Sequence, residues 1–120
     1  MGFRKKHGKI NIKIIRDKSG FIRQFEIHGH SGYSEKGSDI ICAGVSVTIY
    51  TAIGALEDLA GVRCSRTEDE EKGLMICGIP ENIPESSRKT AGIILETTAI
   101  GFKQLELSYG EYVAVSDEEV

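Results

Sequence analysis

Cysteine is scarce in this chain of 120 residues: Cys42, Cys64 and Cys77 are an odd number, widely spaced, with no Cys-x-x-Cys pair. That gives no disulfide framework and fits a reduced, cytoplasmic setting. No run of eighteen apolar residues occurs and no signal-type apolar segment opens the chain, so neither a membrane-spanning helix nor a secretory leader is expected. Position 6 is Lys6 rather than Ser or Thr, which argues against myristoylation at Met1-Gly2. Excess charge is missing too. The formal net charge is -3, which gives no support to nucleic-acid binding by the surface as a whole.

What is present is the composition of a soluble globular protein, 40% hydrophobic and 28% charged. Residues 1–120 make one domain, long enough for a single core without staples. Charge is uneven along it. Arg4, Lys5, Lys6 and Lys9 form a basic head, and Glu68 to Glu71 and Asp117 to Glu119 form acidic clusters, expected at solvated ends and turns.

Hydrophobic periodicity supplies the elements. Lys9 to Arg16 alternates, with Ile10, Ile12 and Ile14 on one face; Asp17-Lys18-Ser19-Gly20 is a turn signal; Phe21 to His28 resumes the alternation through Phe21, Arg23, Phe25 and Ile27. A helix capped by Ser38 or Asp39 is expected to run to about Ala60 and stop at Gly61. Val62 to Thr67 and Gly73 to Ile79 read as a second hairpin with the acidic turn between them. Pro80 and Pro84 bracket the entry to a second helix, from about Glu85 to Tyr109, and Tyr112 to Val115 is a short last strand. The order ββαββαβ predicts a two-layer α+β fold, an antiparallel-rich sheet covered by two long helices. In the first helix Ile41, Val45, Ile49, Ala52, Leu56 and Leu59 form the expected core stripe. Ile40, Val47, Tyr50, Ile53 and Ala55 lie on other sides, so a second subunit is expected to cover part of the surface.

The chemistry concentrates between the first hairpin and that helix. With Asp39 as cap, Cys42 falls at the third helical position, near unpaired amides and the positive end of the helix dipole, which favour thiolate over thiol. The same amides can stabilise a tetrahedral oxyanion. His30 precedes Cys42 by twelve residues and ends a strand, so the intervening loop can fold back and bring imidazole to sulfur, as proton acceptor and then donor. Ser46 shares the helical face of Cys42, and Asp39 serves as cap, histidine orienter or both. Gly29, Gly32 and Gly37 allow tight or hinged backbone, and Tyr33, Tyr50 and Ile53 are candidate substrate contacts. The plain alternative for Cys42 is a small core residue.

The residues Gly29-His30-Ser31, followed by Gly37-Ser38-Asp39-Ile40-Ile41-Cys42-Ala43-Gly44-Val45-Ser46, resemble the signature of the ribosomal-processing cysteine proteases, the Prp family. That pattern runs Gly-His-Ala, a short loop, then Gly-x-Asp-Ile-Val-Cys-Ala-Ala-Val-Ser. Ser31 and Gly44 depart from it, both small for small. The resemblance implies a homodimeric bacterial cytoplasmic endopeptidase with Cys42 as nucleophile and His30 as base. It implies as substrate protein twenty-seven of the large ribosomal subunit, from which a short hydrophobic amino-terminal extension is removed. The alternative is a non-enzymatic ribosome-associated module whose same loop holds a peptide without cutting it.

His28, His30 and Cys42 offer three zinc ligands, but no carboxylate or second cysteine stands at ligand spacing, so no metal and no cofactor is expected. Cys64 and Cys77, on the two arms of the second hairpin, are expected as neighbouring buried thiols.

Overall fold

Two strands whose fully buried residues all point one way, β1 (Ile10–Arg16) and β2 (Ile22–His28), form the centre of a five-stranded sheet. The structure is a computed structural model that describes residues 9–29 and 38–120. After the hairpin come α1 (Ser38–Ala60), β3 (Ser65–Asp69), β4 (Leu74–Gly78), α2 (Glu85–Ser108) and β5 (Val113–Glu119), the expected α+β order. The strands lie in the order β3-β4-β2-β1-β5; β1 and β5 run parallel and the other neighbours antiparallel.

Register lines the core residues up across strands. Ile12 faces Ile27, which faces Met75; Ile14 faces Phe25, which faces Cys77. All six side chains are at most 2% exposed. Burying a large apolar side chain is worth about 1.5–3 kcal/mol, so these rows anchor the domain. Both helices pack on this face. Asn11, Lys13 and His28 project from the other, where they are exposed.

The first hairpin departs from simple alternation. Pairing shifts between Ile15 and Arg16, so that Ile22, not Arg23, continues the buried side. The β-bulge places Arg23 beside the chain after β4: its carbonyl accepts the Ile79 amide at 2.9 Å and its guanidinium reaches the Pro80 carbonyl at 2.9 Å.

On α1 the buried stripe is Ile41, Val45, Ile49, Ala52, Leu56 and Ala60. Leu59, expected in the core, is 71% exposed, because the stripe ends on an i+4 step to Ala60. Ile40, Val47 and Tyr50 are exposed, as their off-stripe positions required. On α2, Ala91, Leu95, Thr98, Ala99 and Phe102 are buried, and the Phe102 ring meets Phe25 edge-on at 5.5 Å. The Thr98 hydroxyl donates to the Ile94 carbonyl at 2.8 Å, so its burial leaves no donor unpaired.

Two strands differ from their sequence-based bounds. β3 begins at Ser65 and takes in Glu68 and Asp69; Val62 and Cys64 pack against the core before the strand starts. The acidic run is therefore partly strand, not all turn. β5 is longer than expected, Val113–Glu119, because parallel pairing with β1 continues to Arg16 opposite Glu119. The acidic tail is held as well as solvated. Arg16 grips Asp117 with two bonds, Nε to Oδ1 at 2.7 Å and Nη2 to Oδ2 at 3.0 Å, and reaches Glu96 of α2 at 2.6 Å. Lys103 of α2 adds a bond to Asp117 at 2.9 Å.

The hydrogen bonds from Arg16, with help from Lys103, hold the Asp117 carboxyl down to about 2 from its ordinary 3.8. A depressed acid contributes stability above its unfolded pKa and loses it as pH falls through the folded one. Asp117→Asn should therefore flatten the decline in urea midpoint expected of the parent between about pH 4 and pH 2. At neutral pH it should cost under about 1 kcal/mol, since the pair is largely exposed. Parallel curves for parent and variant would refute the assignment.

Candidate active site

The site is built where β2 ends and α1 begins. Gly29 closes β2 with a φ of +89°, a left-handed conformation that glycine adopts without penalty. Its amide donates to the Gly73 carbonyl at 2.6 Å, tying the strand exit to the tip of the β3–β4 turn. A Cβ on Gly29 would stand 3.2 Å from the Lys9 carbonyl oxygen. Three segments thus converge at one end of the sheet: the start of β1, the end of β2 and the β3–β4 turn.

At the other side of the loop, α1 begins at Ser38. Asp39 is its second residue rather than its cap, and Cys42 is its fifth rather than its third. The sulfur therefore belongs to the second turn, where the dipole's pull is weaker than at the third position. Cys42 is half-buried and packs against the core cluster. Ser46, one turn further, is half-buried on the same side of the helix. His30, Ser31, Gly32, Tyr33 and Gly37 lie outside the described residues.

His28, the other histidine considered for a metal, is on β2 pointing away from the helices, so the sheet separates it from Cys42. Its ring lies 3.4 Å from the Glu26 carboxylate, on its own strand. Among the described residues no cluster of three or more metal-ligating side chains occurs. All three cysteines are thiols, none in a disulfide.

Two side chains suggested as substrate contacts have structural partners. Ile53 packs against the core, and Tyr50 is bound to β3. The Tyr50 hydroxyl donates to Glu68 at 3.1 Å, and the Arg66 guanidinium lies over its ring at 5.8 Å. Burial and the neighbouring Glu68 carboxylate raise the phenol's pKa. Sequence inspection placed Glu68 in a free turn and missed this clasp. The signal was present in the alternation Arg66-Thr67-Glu68, which puts both charges on the helix side of β3.

An α+β fold with a half-buried thiol in the opening turns of a helix can carry a cysteine nucleophile. The family model described as cysteine protease Prp matches residues 9–114, and the chain belongs to that family. It is a cysteine peptidase. The ribosomal processing cysteine protease Prp of Bacillus subtilis is 28% identical over 107 residues, covering 89% of this chain and 96% of its own. That of Staphylococcus aureus is 26% identical over 108 residues, covering 89% and 97%. Among solved structures, SMU.848 of Streptococcus mutans superposes with a TM-score of 0.84 at 28% identity, covering 94% of this chain and all (100%) of that one. The S. aureus ribosomal processing protease Prp, crystallised with a substrate peptide, shares the fold with a TM-score of 0.78 at 22% identity, covering 90% and 98%.

The two glycines of the motif that fall in described residues have opposite roles. At Gly44 a Cβ would meet Leu105 Cδ2 of α2 at 3.5 Å, an ordinary contact, so alanine fits. Gly44→Ala should raise stability by up to about 1 kcal/mol through helix propensity. Gly29→Ala should lower it by about 1–2 kcal/mol, from the left-handed backbone and the approach to Lys9. Denaturant midpoints moving together for both variants would contradict this.

Proposed function

We propose that this peptidase removes the short amino-terminal extension of protein twenty-seven of the large ribosomal subunit, with Cys42 as nucleophile and His30 as base. The observation that carries it is the placement of Cys42. It sits half-buried in the opening turns of α1, the helix that follows β2 and Gly29 in the chain, which supports a role for its thiol. The ribosomal-processing names of the relatives support the choice of substrate.

In this mechanism the Cys42 sulfur attacks the scissile carbonyl, and the negative charge passes to the carbonyl oxygen at the positive end of α1. His30 gives the proton it took from the thiol to the leaving amine, and water then releases the acyl group from sulfur. A peptide bearing the extension should be cut once. Cys42→Ala should lower the rate by about 10⁴-fold or more while leaving the circular dichroism spectrum unchanged. Cleavage by the variant at the parental rate would eliminate Cys42 as nucleophile.

The enzyme works, on this proposal, as a cytoplasmic homodimer joined through the outer side of the two helices. The groove between them is lined by Ala43, Gly44, Val47 and Thr51 of α1 and Ile93 and Thr97 of α2, all uncharged. Val47 is 64% exposed and Ile93 59% exposed, more apolar surface than a lone subunit gains from showing. Light scattering should give a two-chain mass for the parent and a one-chain mass for the Val47→Glu, Ile93→Glu double variant. A one-chain mass for the parent would refute the dimer.

A further inference from the structure

We infer that Cys64 and Cys77 form an oxidant-sensing dithiol, separate from the peptidase site, in which Cys64 takes the first oxidation and Cys77 resolves it to an intramolecular disulfide. The geometry is that of a poised pair. Cys77 is on β4 facing the helices, 2% exposed, with Arg66 of β3 as its cross-strand partner. Cys64 stands one residue ahead of β3, two before Arg66, half-buried against the same core cluster. The strands approach closely there. Ser65 is opposite Gly78, and a Cβ on that glycine would lie 2.9 Å from the Ser65 hydroxyl.

The two thiols are near enough to act on one another, and their protons are held unequally. The neighbouring Cys77 thiol, with the positive charge of Arg66, lowers the Cys64 pKa against the opposing effects of desolvation and Glu57 on α1. The neighbouring Cys64 and burial push the Cys77 thiol up, so it keeps its proton. A partly exposed, low-pKa thiol beside a buried resolving partner is the arrangement of thiol redox sensors.

With hydrogen peroxide as oxidant the steps balance. The Cys64 thiolate attacks one peroxide oxygen; an S–O bond forms, the O–O bond breaks, and hydroxide leaves to become water with the thiol's proton. Cys64, now a sulfenic acid, carries no charge to hold the Cys77 proton. The Cys77 sulfur then attacks Cys64, forming the S–S bond and breaking S–O. The second hydroxide leaves as water with that proton. Two thiols and one peroxide give one disulfide and two waters.

The test treats the full-length parent and its Cys42→Ala variant with equimolar hydrogen peroxide. Alkylation, non-reducing trypsin digestion and mass spectrometry follow. The expected product is residues 64–66 linked to residues 73–88, abolished by dithiothreitol. Dimedone should label position 64 in Cys77→Ala, and no adduct should form at position 77 in Cys64→Ala. Full alkylation of both thiols after peroxide would overturn the inference, as would a Cys64–Cys64 link between chains. The parental digest decides even where a variant folds poorly. Loss of peptidase activity on oxidation of Cys42 alone, with residues 64 and 77 still reduced, would also count against it.

Discussion

The rest of the structure depends on one constraint: the fully buried apolar residues of β1, β2 and β4 are gathered on a single face of the sheet. Ile12, Ile27 and Met75 make one row across it and Ile14, Phe25 and Cys77 the next. A sheet that is apolar on one side must be covered on that side alone, so both long helices are drawn to the same layer. The polar face needs no cover. The rows also decide where charge can go. At their ends they run out into Val115 and Asp117 on β5 and into Glu68 and Arg66 on β3, where the sheet edge meets water.

Those edge charges fasten the layers together. On one side Arg16, Asp117, Glu96 and Lys103 connect β1, β5 and α2. On the other, Glu68 and Arg66 hold Tyr50 and with it the middle of α1. Each contact is partly exposed and individually weak, and together they link each helix to an edge of the sheet. The position of α1 matters most, because its buried stripe and its opening turns belong to one rigid element. Packing of Ile41 and Val45 into the core therefore fixes where the Cys42 backbone stands relative to the β2 exit. At that exit the Gly29 amide is tied to the β3–β4 turn, so the strand end that precedes the loop is held from two sides.

Much of this was legible in the chain, for local reasons. Alternation marked the strands, the 3.6-residue repeat marked both helices, and the long motif from Gly29 to Ser46 marked the family. Where expectation and structure differ, a distant neighbour had the deciding part. Arg23 breaks the alternation of β2 because its carbonyl and guanidinium serve the chain beyond β4. β5 runs past Val115 because β1 offers a parallel partner, which makes strand out of acidic residues that favour turns and ends. Leu59 lies outside because the sheet beneath the last turn of α1 meets Ala60 instead. With α1 running from Ser38, Cys42 falls in its second turn, two places later than a cap at Asp39 predicts, because periodicity does not fix a helix end to the residue.

Taken alone, the order of residues determined the type of each element, most of the residues it buries and the contiguous motif by which the chain resembles its family. Those properties follow from short-range repeats and from a contiguous motif. Only tertiary structure decided that β5 lies parallel beside β1, that Tyr50 is clasped by Arg66 and Glu68, and that Cys64 and Cys77 shift each other's titration. Each of these depends on how close two separate segments come, and that distance is set by the packing of helices on one apolar face of the sheet.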